Sequence, residues 1–139
     1  MKLVPTALLA CATLLPVLAP AGTHTERSYL KLGRSLLLSG EQEAELQASL
    51  ASAKARCHAP PSGLVAFLNL VVNEVYPTTG IPPTAIVGAF LVRNGVRASS
   101  IHEGQVTVEA LRARPETPDS ALSGEDRTIE VEIACTPIS

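Results

Sequence analysis

The sequence predicts an α+β domain in which a mixed four-stranded sheet carries two helices on one face, in the order strand-helix-strand-helix-strand-strand. Three observations carry this. The segment "SGEQEAELQASLASAKAR" has a helix cap and an apolar stripe, and the continuous apolar run "LVAFLNLVV" follows it. A second apolar segment at helical spacing, "TAIVGAFLVRNGV", reaches a glycine near its end. Near the C-terminus, "RTIEVEI" alternates strictly between polar and apolar residues.

The first strand is read from Tyr29, where Leu30 and Leu32 share a face before Gly33 interrupts the pattern. "SLLL" then leads into the first helix. Ser39 is followed three residues later by Gln42, the spacing of a capping box, which gives two orphan backbone donors a side-chain partner. Acids occupy the first turn, Lys54 and Arg56 the last, and Leu46, Leu50 and Ala53 form the stripe. The tandem prolines of "CHAPPSG" end the helix.

The length and valines of "LVAFLNLVV" suit a buried central strand. After the turn-rich "YPTTGIPP", the second helix places Ile86, Ala89, Phe90 and Arg93 at helical spacing, with Gly95 at its C-terminal cap. "IHEGQVTVEAL" reads as the third strand, with Val106 and Val108 alternating against Thr107 and Glu109. "RARPETPDSALSGED" reads as a long polar loop. The closing strand turns Ile129, Val131 and Ile133 inward and Thr128, Glu130 and Glu132 outward.

Ahead of the domain stands "MKLVPTALLACATLLPVLAPAGT", with one lysine, an apolar stretch and the small-x-small triplet Ala19-Pro20-Ala21, the form of a secretory signal peptide. Residues 1–21 are read as that peptide, 22–28 as a polar leader and 29–139 as the domain. The apolar stretch is broken by Pro5 and Pro16 and is short of the roughly 20 residues of a membrane span, so the mature chain is expected to have no transmembrane span. A second reading takes Leu8-Leu9-Ala10-Cys11 as a lipobox, with a lipid anchor at Cys11. The first reading gives a periplasmic or secreted protein, and the second an outer-membrane lipoprotein.

The chain has 11 basic and 13 acidic residues, a net charge of −2, with neither sign clustered. Such a balance offers no footprint for nucleic acid, and two tyrosines, two phenylalanines and no tryptophan make a poor base-stacking platform. Cleavage removes Cys11 and leaves Cys57 and Cys135, an even number in a compartment where disulfides persist. Their bridge would close 78 residues, worth roughly 4 kcal/mol by chain entropy.

His24, His58 and His102 do not form a metal set, because adjacent residues such as Cys57 and His58 point to opposite faces in extended chain and no second pair stands at ligand spacing. No G-x-S-x-G elbow or triad order is present. The chain reads as a non-enzyme without metal or cofactor. The alternative is a small secreted hydrolase using His58 or His102 with an acid of the long loop. Glu41, Glu43 and Glu45 read as a solvated helix start, and Glu130 and Glu132 as the outer face of a strand. Val72, Val75 and Tyr76 carry the second apolar run past the length of an ordinary strand, the trace of an interaction surface.

Several segments resemble the OmpA-like C-terminal, peptidoglycan-associating domain family, in its order. "LSGEQEAELQASLASAK" is similar to its first helix, "AFLVRNGVRASSIH" to the junction of its second helix and third strand, "RTIEVEI" to its closing Asn-Arg-Arg-Val-Glu-Ile strand, and Arg114-Pro115 to its Arg-Pro before the long loop. The resemblance covers roughly residues 29 to 134 and implies an envelope module whose partner is peptidoglycan or another envelope protein. It also implies a closing strand antiparallel to the second, which would bring Cys135 close to Cys57.

This sequence departs from the family at its ligand residues. The family grips diaminopimelate with an aspartate in a Gly-His-Thr-Asp turn after the second strand and an arginine early in the second helix. Here the turn is "FLNLVVNEVYPTTG", and the helix position falls at Pro83 or Thr84. Asn69, Asn73 or Glu74 would be the substitute acceptors and Arg127 the donor. The leading expectation for Arg127 is instead that it opens the closing strand, paired with Glu125 or Asp126, with the ligand role as the alternative.

Overall fold

The computed structural model describes residues 25–77, 80–122 and 127–136. The signal peptide, Cys11, His24, Glu125 and Asp126 lie outside the described residues. Strand β1 spans Thr25–Lys31, helix α1 Gly40–Cys57, strand β2 Leu64–Val72, helix α2 Thr84–Arg93, strand β3 Ile101–Thr107, helix α3 Val108–Arg112 and strand β4 Thr128–Cys135. The sheet order is β1-β4-β2-β3, with β4 antiparallel to both neighbours and β2 parallel to β3. The predicted α+β class and its mixed four-stranded sheet are therefore those of the structure.

Pairing register sorts the side chains onto two faces. Leu64, Ala66, Leu68 and Leu70 of β2 share one face with Ile129, Val131 and Ile133 of β4 and with Leu30 of β1. These residues form the main core together with Leu46, Leu50 and Ala53 of α1 and Val87, Phe90 and Leu91 of α2. Both long helices cover this one face, as the sequence predicts.

Local chemistry accounts for the helix ends. Ser39 Oγ accepts from the Gln42 N–H at 3.1 Å, while Gln42 Oε1 accepts from the Ser39 N–H at 2.9 Å, which completes the capping box. Helix α2 ends in a Schellman arrangement: the Val96 N–H reaches the Leu91 carbonyl, the Gly95 N–H reaches Val92, and Gly95 has φ +102°. The disulfide Cys57–Cys135 ties the C-terminal end of α1 to the end of β4, with Cα atoms 5.4 Å apart.

Three boundaries differ from the expectations. Strand β1 begins at Thr25, so it includes four residues read as polar leader; Glu26, which faces the helices, is satisfied there by Ser52 Oγ at 2.8 Å and Arg56 Nε at 3.0 Å. The third strand ends at Thr107, whose Oγ1 accepts from the Ala110 N–H and starts α3, so Val108 is helical. The long loop also contains a 3₁₀ turn over Asp119–Ala121. Residues 108 to 122 thus lie against the second face of the sheet, where Val108 and Leu111 pack with Val71 and Val106.

That covering changes what the outward side of β4 means for Glu130 and Thr128, which the sequence places on the outer face of the strand. Both point away from the main core, as alternation predicts, yet both are fully buried. No helix among the described residues is long and apolar enough to cross a membrane.

Candidate functional site

The chain leaves β2 at Val72 on the rim where β4 begins, and the two strands bring distant residues to one recess. Leu70, Val71, Val72, Asn73, Glu74, Tyr76 and Arg127 line it, around a volume of about 290 Å³. Three of the four candidate ligand residues, Asn73, Glu74 and Arg127, therefore lie together. The fourth, Asn69, sits on the second face of β2, where its Nδ2 donates to Glu130 Oε1 at 3.5 Å.

Arg127 is held by backbone groups. Its Nη1 donates to the carbonyls of Gly33 at 3.1 Å and Ser35 at 3.4 Å, and its own carbonyl accepts from the Leu32 N–H. Its φ of +44° lies in the left-handed region, which is strained for a side chain of this size. Asn73 and Glu74, which also line the recess, are exposed. The loop that follows is clasped by Gln105, which exchanges two hydrogen bonds with the Tyr76 backbone at 3.0 and 2.9 Å. The recess so built offers a carboxylate, an amide and a fixed guanidinium, a set suited to a ligand carrying both charges.

Val75 and Tyr76, read as the trace of an interaction surface, are exposed beside this recess, whereas Val72 is buried in the main core. The two described histidines stand apart from it. His58 ends α1 in a left-handed conformation, with φ +51°. His102 stacks on Phe67, with ring centroids 5.1 Å apart.

A second polar cluster escaped the sequence reading. Glu130 receives the Tyr29 hydroxyl at 3.0 Å and the Arg114 guanidinium, and Arg27 Nε stands 3.9 Å away. Arg27 also reaches Glu116 at 3.0 Å and Glu132 at 3.5 Å. Burial by itself would lower the Arg27 pKa, but Glu132 and Glu130 outweigh it and hold the group charged.

Burial raises the Tyr29 pKa, and the Glu130 carboxylate adds to the rise. A phenol held above its unfolded value stabilises the fold below about pH 10, and that contribution is lost as pH climbs through the folded value. Tyr29→Phe is therefore expected to flatten the alkaline fall in stability above about pH 10. Denaturant unfolding at stepped pH, followed by circular dichroism, checks this; equal slopes in parent and variant would contradict it.

Neither the family models nor the curated proteins give a match to this chain. Among solved structures, it is similar to the OmpA-like domain of FopA1 from Francisella tularensis subsp. tularensis SCHU S4, with a TM-score of 0.44 and 8% identity, over 83% of this chain and 76% of that one. It is also similar to the periplasmic domain of Helicobacter pylori MotB, with a TM-score of 0.41 and 11% identity, over 83% of this chain and 86% of that one.

Proposed function

We propose that the domain is a non-catalytic binding module of the bacterial cell envelope, working in protein contact or weak peptidoglycan association. One observation carries the reading: the recess at the end of β2 gathers Asn73, Glu74 and Arg127, which lie up to 54 positions apart in sequence. The sequence resemblance to the OmpA-like family supports the same ligand class, because that family grips a zwitterionic amino acid with one acid and one arginine. Here Glu74 supplies the acid and Arg127 the base, from different positions of the fold. The N-terminal secretory pattern supports export to the compartment in which such a ligand exists. A lipid anchor at Cys11 would place the module at the outer membrane instead of free in the periplasm.

The strain at Arg127 sharpens the proposal. A left-handed arginine costs about 1–2 kcal/mol where glycine costs little, and such positions are kept where the side chain has work to do. Arg127→Gly is thus expected to fold as well as the parent while losing the guanidinium.

Pull-down on purified sacculi tests the site. Arg127→Gly and Glu74→Ala are each expected to weaken binding to the sacculi by roughly ten- to a hundredfold, in line with about 1.5–3 kcal/mol for a charge-assisted bond. Asn69→Ala should matter less, because Asn69 is engaged with Glu130. Retention unchanged in the Arg127 and Glu74 variants would refute the site, and no retention of the parent would leave protein contact as the function. The positions of His58 and His102 add nothing in favour of a His-based hydrolase.

A further inference from the structure

We propose that residues 108–122 form a strap that opens as one unit while the sheet and its two long helices stay folded, with Arg114 on Glu130 as its latch. The sheet separates two apolar clusters of unequal size. Among the described residues the larger, between sheet and helices, contains 17 buried residues, whereas the smaller joins Val108 and Leu111 of the strap to Val71 and Val106 of the sheet. The strap has little stability of its own: a five-residue helix and a three-residue 3₁₀ turn are far below the length at which a helix persists alone.

What holds the strap down is polar as much as apolar. Among the described residues, its ion pairs with the sheet are Arg114–Glu130 and Glu116–Arg27. Glu130 is fully buried, while Arg114 and Arg27 keep a third and a quarter of their side-chain surface exposed. The latch thus joins a group that cannot reach water to one that can. The seam is also incompletely satisfied, since Arg27 Nε and Thr128 Oγ1 are buried without a hydrogen-bond partner. Opening would give these atoms water and uncover Tyr29, Asn69 and Glu130 on the sheet. Segments with few apolar anchors and orphaned polar atoms are those that open below the global limit.

Native-state hydrogen exchange on the full chain in low urea tests this. The reporters are the Thr117 and Leu122 amides, bonded to Arg114 and Asp119 carbonyls, against the Leu68 and Val131 amides of the central strands. The strap amides are expected to exchange together, about 100-fold or more faster than the strand amides, with a shallow urea dependence. Arg114→Met should raise all four rates by a common factor of about ten or more, because it lifts the closed form relative to both the open and the unfolded chain, whereas Leu50→Ala, in the core that stays folded, should speed Leu68 and Val131 and leave both strap amides unchanged. Strap and strand amides sharing one rate and one urea slope in the parent protein would overturn the proposal even if the variant failed to fold. So would an Arg114→Met effect confined to Thr117, or a Leu50→Ala effect equal at all four amides.

Discussion

Glu130→Ala is expected to cost about 3–5 kcal/mol of folding stability. Glu130 lies on β4, between β1 and β2, with no exposed surface. Its removal strands the Tyr29 phenol and the Arg27 and Arg114 guanidiniums around a site that was built for a carboxylate. Arg114 can turn towards water, but the phenol and the buried part of Arg27 cannot do so without lifting the covering segment. Glu132→Ala provides the contrast, because Glu132 is part-exposed and sits 3.5 Å from Arg27. Its loss should stay within about 1 kcal/mol. Urea unfolding read by far-ultraviolet circular dichroism compares the two, and equal losses would contradict the special place given to Glu130.

Removing the disulfide should have an effect of similar size. The double variant Cys57→Ala/Cys135→Ala is expected to lose roughly 4 kcal/mol, because the bridge spans 78 residues and frees that loop in the unfolded chain when absent. The melting temperature should fall on the order of 20 °C. The double variant avoids a leftover thiol, and alanine keeps most of the packing at the nearly buried Cys135. Parent protein melted in reductant should match the variant. A reduced parent as stable as the oxidised one would show that the closure contributes nothing.

Elements whose signals are local were legible in the sequence. Ser39 and Gln42 cap α1 through atoms three residues apart, Gly95 closes α2 as its backbone freedom demands, and the run from Leu64 to Val72 is β2 from end to end. The failures are equally physical. The first half of β1 was missed because Glu26 faces the helices as a polar residue, neutralised by Arg56 from another element. Alternation assigned Glu130 to the correct side of β4 but says nothing about what covers that side. The cover comes from α3 and the chain after it, and Val108 continued the strand pattern past the point where the Thr107 hydroxyl starts a helix.

The recess was half legible. Asn73, Glu74 and Arg127 could be named from their chemistry, whereas Asn69 belongs to the Glu130 cluster. The partners that fix Arg127 are the carbonyls of Gly33 and Ser35, backbone groups more than 90 positions away that carry no residue-type signature. Its sequence neighbours Glu125 and Asp126 are therefore not needed to explain its placement.

The position of β4 has a consequence for the order of events in a living cell. Among the described residues β1 pairs only with β4, and β4 also bonds to β2, so the strand that comes last of these four in sequence is the one that unites the sheet. A chain threading through a translocation pore N-terminus first would keep β1 unpaired until β4 emerged, and the same strand brings Cys135 to Cys57. On the export proposed above, assembly and oxidation would then be completed together on the far side.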